Sequence, residues 1–192
     1  AAAILSDSAQ HVSDASVLLG LDTKRLSGHV GMARRDAFLP APIPDFPGFP
    51  GMNSSVAATY LVADLTFRPV HPLFLTAWYS HPRTTPGNFQ PPQHGRVDLT
   101  FRSKFWRTFR SGVFEFLLRY GIEYWSKGNA GINTLGRPEE ATFHEWFVEL
   151  QLVGFKVFWN LRNARNSLSQ YVPSLPYPRN AQTFGVRWEF AN

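Results

Sequence analysis

The sequence predicts an all-β fold, an antiparallel transmembrane β-barrel of about eight strands with short periplasmic turns and long extracellular loops. Three observations predict it. Long segments alternate apolar and polar residues with period two, the pattern of a strand with two unlike faces, where a helix would repeat every 3.6 residues. The connections between those segments alternate long and short. The composition is 15% aromatic, with 17 Phe and 6 Trp, yet the mean hydropathy is only −0.20, so the apolar residues cannot be gathered in runs. No stretch approaches the roughly 18 uninterrupted apolar residues of a membrane helix, and a barrel needs none, because it satisfies every backbone polar group between strands.

Residues 1–26 read as an N-terminal periplasmic or linker segment, ahead of a barrel domain over residues 27–192. Within the first segment Ile4, Val12, Val17, Leu18 and Leu19 are compatible with a short helix capped at Ser13-Asp14. Ala1 to Ser6 lacks the basic start and apolar run of a secretory signal. The chain is therefore expected to be a mature form or a fragment.

The first strand, about Gly28 to Phe38, alternates poorly. In the second, Ala57 to Arg68, Leu61, Ala63, Leu65 and Phe67 oppose Tyr60, Asp64, Thr66 and Arg68. The third, Leu73 to Ser80, is nearly all apolar. In the fourth, Val97, Leu99, Phe101 and Phe105 oppose Arg96, Asp98, Thr100, Arg102 and Lys104. The fifth sets Phe114, Phe116, Leu118, Tyr120, Ile122 and Tyr124 against Glu115, Arg119 and Glu123. The sixth sets Trp146, Val148, Leu150 and Leu152 against Glu145, Glu149 and Gln151. The seventh sets Phe155, Val157, Trp159 and Leu161 against Lys156, Asn160 and Arg162. In the eighth, Phe184, Val186, Trp188 and Phe190 oppose Thr183, Gly185, Arg187 and Glu189.

Tight turns are expected at Pro69 to Pro72, near Thr108 to Ser111 and at Val153-Gly154. Long connections are expected over Pro40–Ser55, His81–Gly95, Ser126–Glu140 and Ala164–Asn180. Strictly alternating lengths put all long loops at one end, as in transmembrane barrels. A soluble barrel of the same strand count would carry its apolar face inside. Here the face rich in bulky aromatics suits lipid, and the face with both signs of charge suits a wet or salt-bridged interior.

On that reading Asp98, Arg102, Lys104, Glu115, Arg119, Glu123, Glu145, Glu149, Arg162 and Arg187 are lumen charges. An eight-stranded interior is just wide enough for side chains to fill it, so the charges are expected to pair and seal it. In a larger barrel they would line a channel.

The last strand resembles the C-terminal assembly signal of bacterial outer-membrane barrels, carried here by Thr183, Gly185, Trp188 and Phe190. The last forty or so residues resemble, more specifically, the closing strands of TonB-dependent receptors. Trp159-Asn160-Leu161-Arg162-Asn163 stands where that family has Asn-Leu-aromatic. Tyr171 and Leu175-Pro176-Tyr177-Pro178 occupy the loop, and Arg179 and Thr183-Phe184 lead into the closing strand. Arg162 replaces the aromatic, and Asn180-Ala181-Gln182 separates Arg179 from Thr183. The chain shows no plug or TonB-box-like segment. The resemblance thus implies a bacterial outer-membrane location and barrel type rather than energy-coupled transport.

No cysteine is present, which excludes a disulfide framework and a thiolate metal site. The net charge of +5 comes from scattered Lys and Arg, so nucleic acid is not an expected partner. No phosphate loop, dinucleotide fingerprint, zinc-protease motif or nucleophile elbow occurs. His29, His71, His81, His94 and His144 are dispersed, and His144 and Glu145 should face opposite ways. No cofactor, metal or catalytic residue is assigned, and the chain is not expected to be an enzyme. Ser80-His81 at a strand rim is the residual enzyme reading, a small lipid-modifying barrel. The expected role is structural, partner-binding or transport, either as a standalone barrel or as a C-terminal fragment or subunit of a larger outer-membrane transporter. Expected partners are outer-membrane lipid and other outer-membrane or periplasmic subunits. The latter would be engaged through the Pro-rich loops or the N-terminal segment.

Overall fold

A computed structural model describes residues 13–36, 57–83, 93–105, 108–109, 113–127, 139–167 and 179–188. They form one antiparallel sheet of nine strands and no helix. The strands are β1 (Asp14–Asp22), β2 (Leu26–Arg35), β3 (Ala58–Phe67), β4 (Leu73–Pro82), β5 (His94–Ser103), β6 (Phe114–Trp125), β7 (Ala141–Leu152), β8 (Phe155–Arg162) and β9 (Ala181–Trp188). Each pairs with its neighbours in sequence, so the sheet is a meander from β1 to β9.

Three expectations are corrected. Asp14 to Asp22 is a strand, not a helix or linker: Asp14 pairs with Arg35 and Asp22 with Ser27 over the full length of β1. Its apolar residues Val17, Leu19 and Leu21 alternate with Ser16, Leu18 and Gly20. The ladder offered by β2 overrides the weak helical spacing, and a turn at Thr23 to Arg25 closes the hairpin. Thr23 Oγ1 donates to the Leu26 carbonyl at 2.8 Å and accepts from the Leu26 amide at 3.0 Å. The strand count is therefore nine rather than eight. And the sheet is open rather than closed into a barrel: β1 and β9 share no ladder. β1 starts at the long-loop end, whereas β9 ends among the short turns.

The alternation of connection lengths holds with the extra strand. Short links join β1 to β2, β3 to β4 and β7 to β8, and the longest lie at the opposite end. Phe190, Glu189 and the Pro-rich segment 40–55 lie outside the described residues.

From β3 onward the pairing register puts most apolar residues on one side of the sheet and most charged ones on the other, with exceptions such as His144 on the first and Trp78, Phe143 and Phe158 on the second. The row Leu99, Tyr120, Trp146, Leu161 belongs to the apolar side, and the row Arg96, Glu123, Phe143 to the charged side. The apolar side is rich in aromatic residues along the whole strand length. Phe67, Phe101, Phe114, Phe155 and Trp188 lie near the short turns and Tyr79 and Tyr124 near the long loops, while Tyr120, Trp146 and Trp159 lie between them. Aliphatic residues such as Val97, Leu99, Val148 and Val157 fill the middle. This side carries no second layer among the described residues: Val17 is 75% exposed, Val186 57% and Phe184 80%. Buried residues such as Ala58, Ser126, Ala141, Phe143, His144 and Asn163 sit at the long-loop end. Asn163 adopts a positive φ of 52°, and its side chain both donates to the Ser167 carbonyl and accepts from the Ser167 amide.

Candidate functional site

The charged side of the sheet holds its densest chemistry between β5 and β8. Arg96 is the centre. Its Nε donates to Asp98 Oδ2 at 2.8 Å, and its Nη2 donates to Asp98 Oδ1 and Glu145 Oε2, both at 2.7 Å. Nη1 lies 3.8 Å from Glu123 Oε2. Arg119 approaches Asp98 and Glu145 at 3.9 and 3.7 Å, and Arg162 reaches Glu145 at 4.0 Å. Three arginines thus face three carboxylates, so the cluster is neutral in itself. The carboxylates are largely shielded, with the Glu145 side chain 14% exposed. Charges of opposite sign at these separations and burial are well satisfied only because each carboxylate has an arginine partner.

Local structure explains why the groups meet. Alternation along β5 puts His94, Arg96, Asp98 and Thr100 on one side. Gly121 of β6 lies directly between Asp98 of β5 and Glu145 of β7. A Cβ at Gly121 would stand 2.5 Å from Asp98 Oδ1 and 2.7 Å from Arg96 Nη2. The missing side chain is the gap through which Arg96 crosses β6.

Beside this cluster His94 sits between two indoles. Its ring stacks on Trp125 at 3.4 Å between centroids and meets Trp78 edge-on at 4.4 Å. Its Nε2 lies 2.7 Å from Glu123 Oε1. Towards the other edge, Asp14 pairs with Arg35 at 3.1 Å and His29 with Asp64 at 3.0 Å. The sheet curls enough for β1 and β6 to share a cavity of about 510 Å³, lined by Ser16, Arg35, Tyr60, Ser80, His94 and Trp125.

The charges singled out in the sequence distribute unevenly. Asp98, Arg119, Glu123, Glu145 and Arg162 come together around Arg96. Arg102 and Glu115 form a separate pair of 2.5 Å nearer the short turns. Glu149 and Arg187 make no ion pair among the described residues, and Arg187 lies across from Lys156. Lys104 follows the end of β5. Of the assembly-signal residues, Thr183, Gly185 and Trp188 lie on β9. Gly185 receives the ring of Phe158, whose Cζ would be 2.6 Å from a Cβ there.

Sequence reasoning passed over Arg96 as a site residue, together with His94, Gly121, Trp78 and Trp125. Arg96 was detectable: it stands two residues before Asp98 on an alternating strand, hence on the same face. The role of Gly121 was not detectable without the register.

Ser80 and His81 face opposite sides of β4. Ser80 Oγ donates to the His94 carbonyl at 3.4 Å, so the two do not form a dyad. Among the described residues no group of His, Asp or Glu side chains is arranged to hold a metal ion. Arg96 occupies the centre that a cation would need between Asp98, Glu123 and Glu145. The arrangement can do two things chemically: brace adjacent strands, and present a polar, charge-balanced surface to water or a polar solute. No family model matches the chain, and no similar protein emerges among curated proteins or solved structures.

Proposed function

We propose that this chain is a strand array of the bacterial outer membrane. Its apolar side faces lipid, its charged side faces a wet interior, and its role is structural, partner-binding or transport. One observation carries the reading: an apolar face nine strands wide, uncovered among the described residues and rich in aromatic residues, backed by a charge-balanced network. Large exposed apolar surfaces on water-soluble chains are rare and small. An apolar band between aromatic girdles is what a transmembrane sheet requires.

A second reading has its own support: the array is part of a larger outer-membrane barrel. In an antiparallel meander the first and ninth strands run in the same direction. Closing β1 on β9 would make a parallel seam. An all-antiparallel barrel takes an odd number of additional strands. Hydrocarbon does not tolerate the unpaired edges left otherwise, because each bare N–H or C=O there costs several kcal/mol. In such a barrel the Arg96 cluster would sit on the wall of a channel.

The experiment is electrophoresis of the detergent-purified chain, boiled and unboiled, beside its detergent-corrected mass. A heat-modifiable monomer supports a barrel closed by its own strands. A membrane-extracted chain that is compact only in an assembly supports the second reading. A chain that stays soluble and monodisperse without detergent overturns both.

A further inference from the structure

We propose that the apolar side of the sheet holds a specific site for a phosphate-bearing lipid at the long-loop rim; this rests on the membrane reading above. The tail end of the site is a groove of about 490 Å³ across β3 to β6. The small residues Ala63, Ala77 and Gly95 and the larger Leu65, Tyr79 and Ile122 are among its lining. Large residues cover most of this face, so the depression is set by small residues on adjacent strands. An acyl chain fits it by burial of methylenes, each contributing about 0.8 kcal/mol.

The head end lies directly above, towards the long loops. Tyr79 and His81 of β4 and Arg83, just past its end, follow each other at period two. Arg34 of β2 pairs with Thr59 of β3, and the Arg83 amide donates to the Thr59 carbonyl at 2.7 Å. Arg34 and Arg83 thus flank one residue of β3, about 10 Å apart across two ladder spacings. Both are exposed, and neither has a carboxylate partner among the described residues. His81 Nδ1 is buried there without a hydrogen-bond partner among the described residues. Two guanidinium groups above an apolar groove are the complement of an anionic headgroup on acyl chains. Arg binds phosphate with two parallel N–H donors. Tyr79 occupies the depth at which a ring with a polar tip is favoured, between tail and headgroup.

The test uses the full chain folded in maltoside micelles, titrated with didecanoyl phosphatidic acid and read by native mass spectrometry. The wild type is expected to retain one phosphatidic acid at least tenfold more tightly than didecanoyl phosphatidylcholine. The Arg34→Gln/Arg83→Gln variant is expected to lose that preference while keeping its unfolding midpoint. Ala77→Trp, which fills the groove and leaves the arginines, is expected to weaken phosphatidic acid at least tenfold. Ala63→Leu serves the same purpose if the tryptophan variant does not fold. Equal retention of the two lipids, no effect of the double substitution, or displacement of the lipid by equimolar inorganic phosphate would overturn the site. Wild-type chain that fails to insert into vesicles would overturn the membrane reading itself. Insertion without lipid preference would overturn only this site.

Discussion

Arg96 and Glu145 meet across a strand that belongs to neither of them. Arg96 lies on β5, Glu145 on β7, and the guanidinium Nη2 donates to the carboxylate at 2.7 Å over Gly121 of β6. An ion pair that skips a strand needs a glycine in between, and it ties three strands together with one side chain.

Removing Arg96 should therefore be costly. Arg96→Met leaves Asp98 and Glu145 partly buried with only the longer contacts to Arg119 and Arg162, while Glu123 keeps His94. The expected loss is on the order of 3 kcal/mol, near the range for breaking one partner of a shielded pair. Arg35→Met is the control. Both side chains of the Arg35–Asp14 pair are more than half exposed, and such a pair contributes less than about 1 kcal/mol. Urea unfolding of the folded chain measures both. Equal costs for the two substitutions would sink the idea that the Arg96 cluster braces the sheet. Gly121→Ala should act in the same direction, by about 1–3 kcal/mol, since its Cβ claims the space of the guanidinium.

The β7–β8 turn carries a correctable strain. Val153 has φ 44° and Gly154 φ 79°. Two successive positive φ angles define the tight hairpin turn for which Asn-Gly is preferred. A β-branched residue in that conformation is strained. Val153 is also 75% exposed, so little packing is lost on replacing it. Val153→Asn is expected to stabilise the chain by about 1 kcal/mol. A midpoint that stays put or falls would show that the valine contributes something this geometry does not reveal.

Gly185 and Phe158 form a cross-strand pair in which an aromatic ring covers a bare backbone. Gly185→Ala should displace the ring and cost about 1–2 kcal/mol. The mechanism predicts coupling: in a Gly185→Ala/Phe158→Leu double variant the costs should sum to less than the two singles. Additive costs would mean that the ring is not resting on the glycine.

The sequence shows the faces well because period two is repeated on strand after strand. From β3 onward the register places the expected apolar and polar residues on opposite sides, as in Leu61, Ala63 and Leu65 against Asp64 and Thr66. β1 was illegible for a physical reason. Val17, Leu18 and Leu19 are adjacent, which blurs alternation, and Gly20 and Gly28 give the first hairpin few cross-strand side chains to mark its register. Closure was illegible too, since strand count fixes it and one missed strand changes the parity. At the site, individual charges could be assigned to a face from alternation alone. Their grouping around Arg96 depends on the offset between β5, β6 and β7, which no single strand encodes.

The membrane reading makes a prediction with a two-residue period. Spin labels placed singly at Val97, Asp98, Leu99 and Thr100, in vesicles, should alternate in their collision rates. Labels at Val97 and Leu99 should be relaxed by oxygen, which concentrates in hydrocarbon. Labels at Asp98 and Thr100 should be relaxed by a water-soluble nickel complex, if the charged face is wet. Neighbouring positions on β5 are only about 3.4 Å apart along the strand, so a depth gradient would change smoothly whereas a change of face reverses at every residue. A protein layer packed on the apolar side would shield Val97 and Leu99 from both reagents. A sheet exposed to water on both sides would admit nickel everywhere. Substitution supplies a second measure on the same strand. Leu99→Arg near the middle of the apolar band should cost about 2–4 kcal/mol, whereas Thr100→Arg on the charged side should cost little.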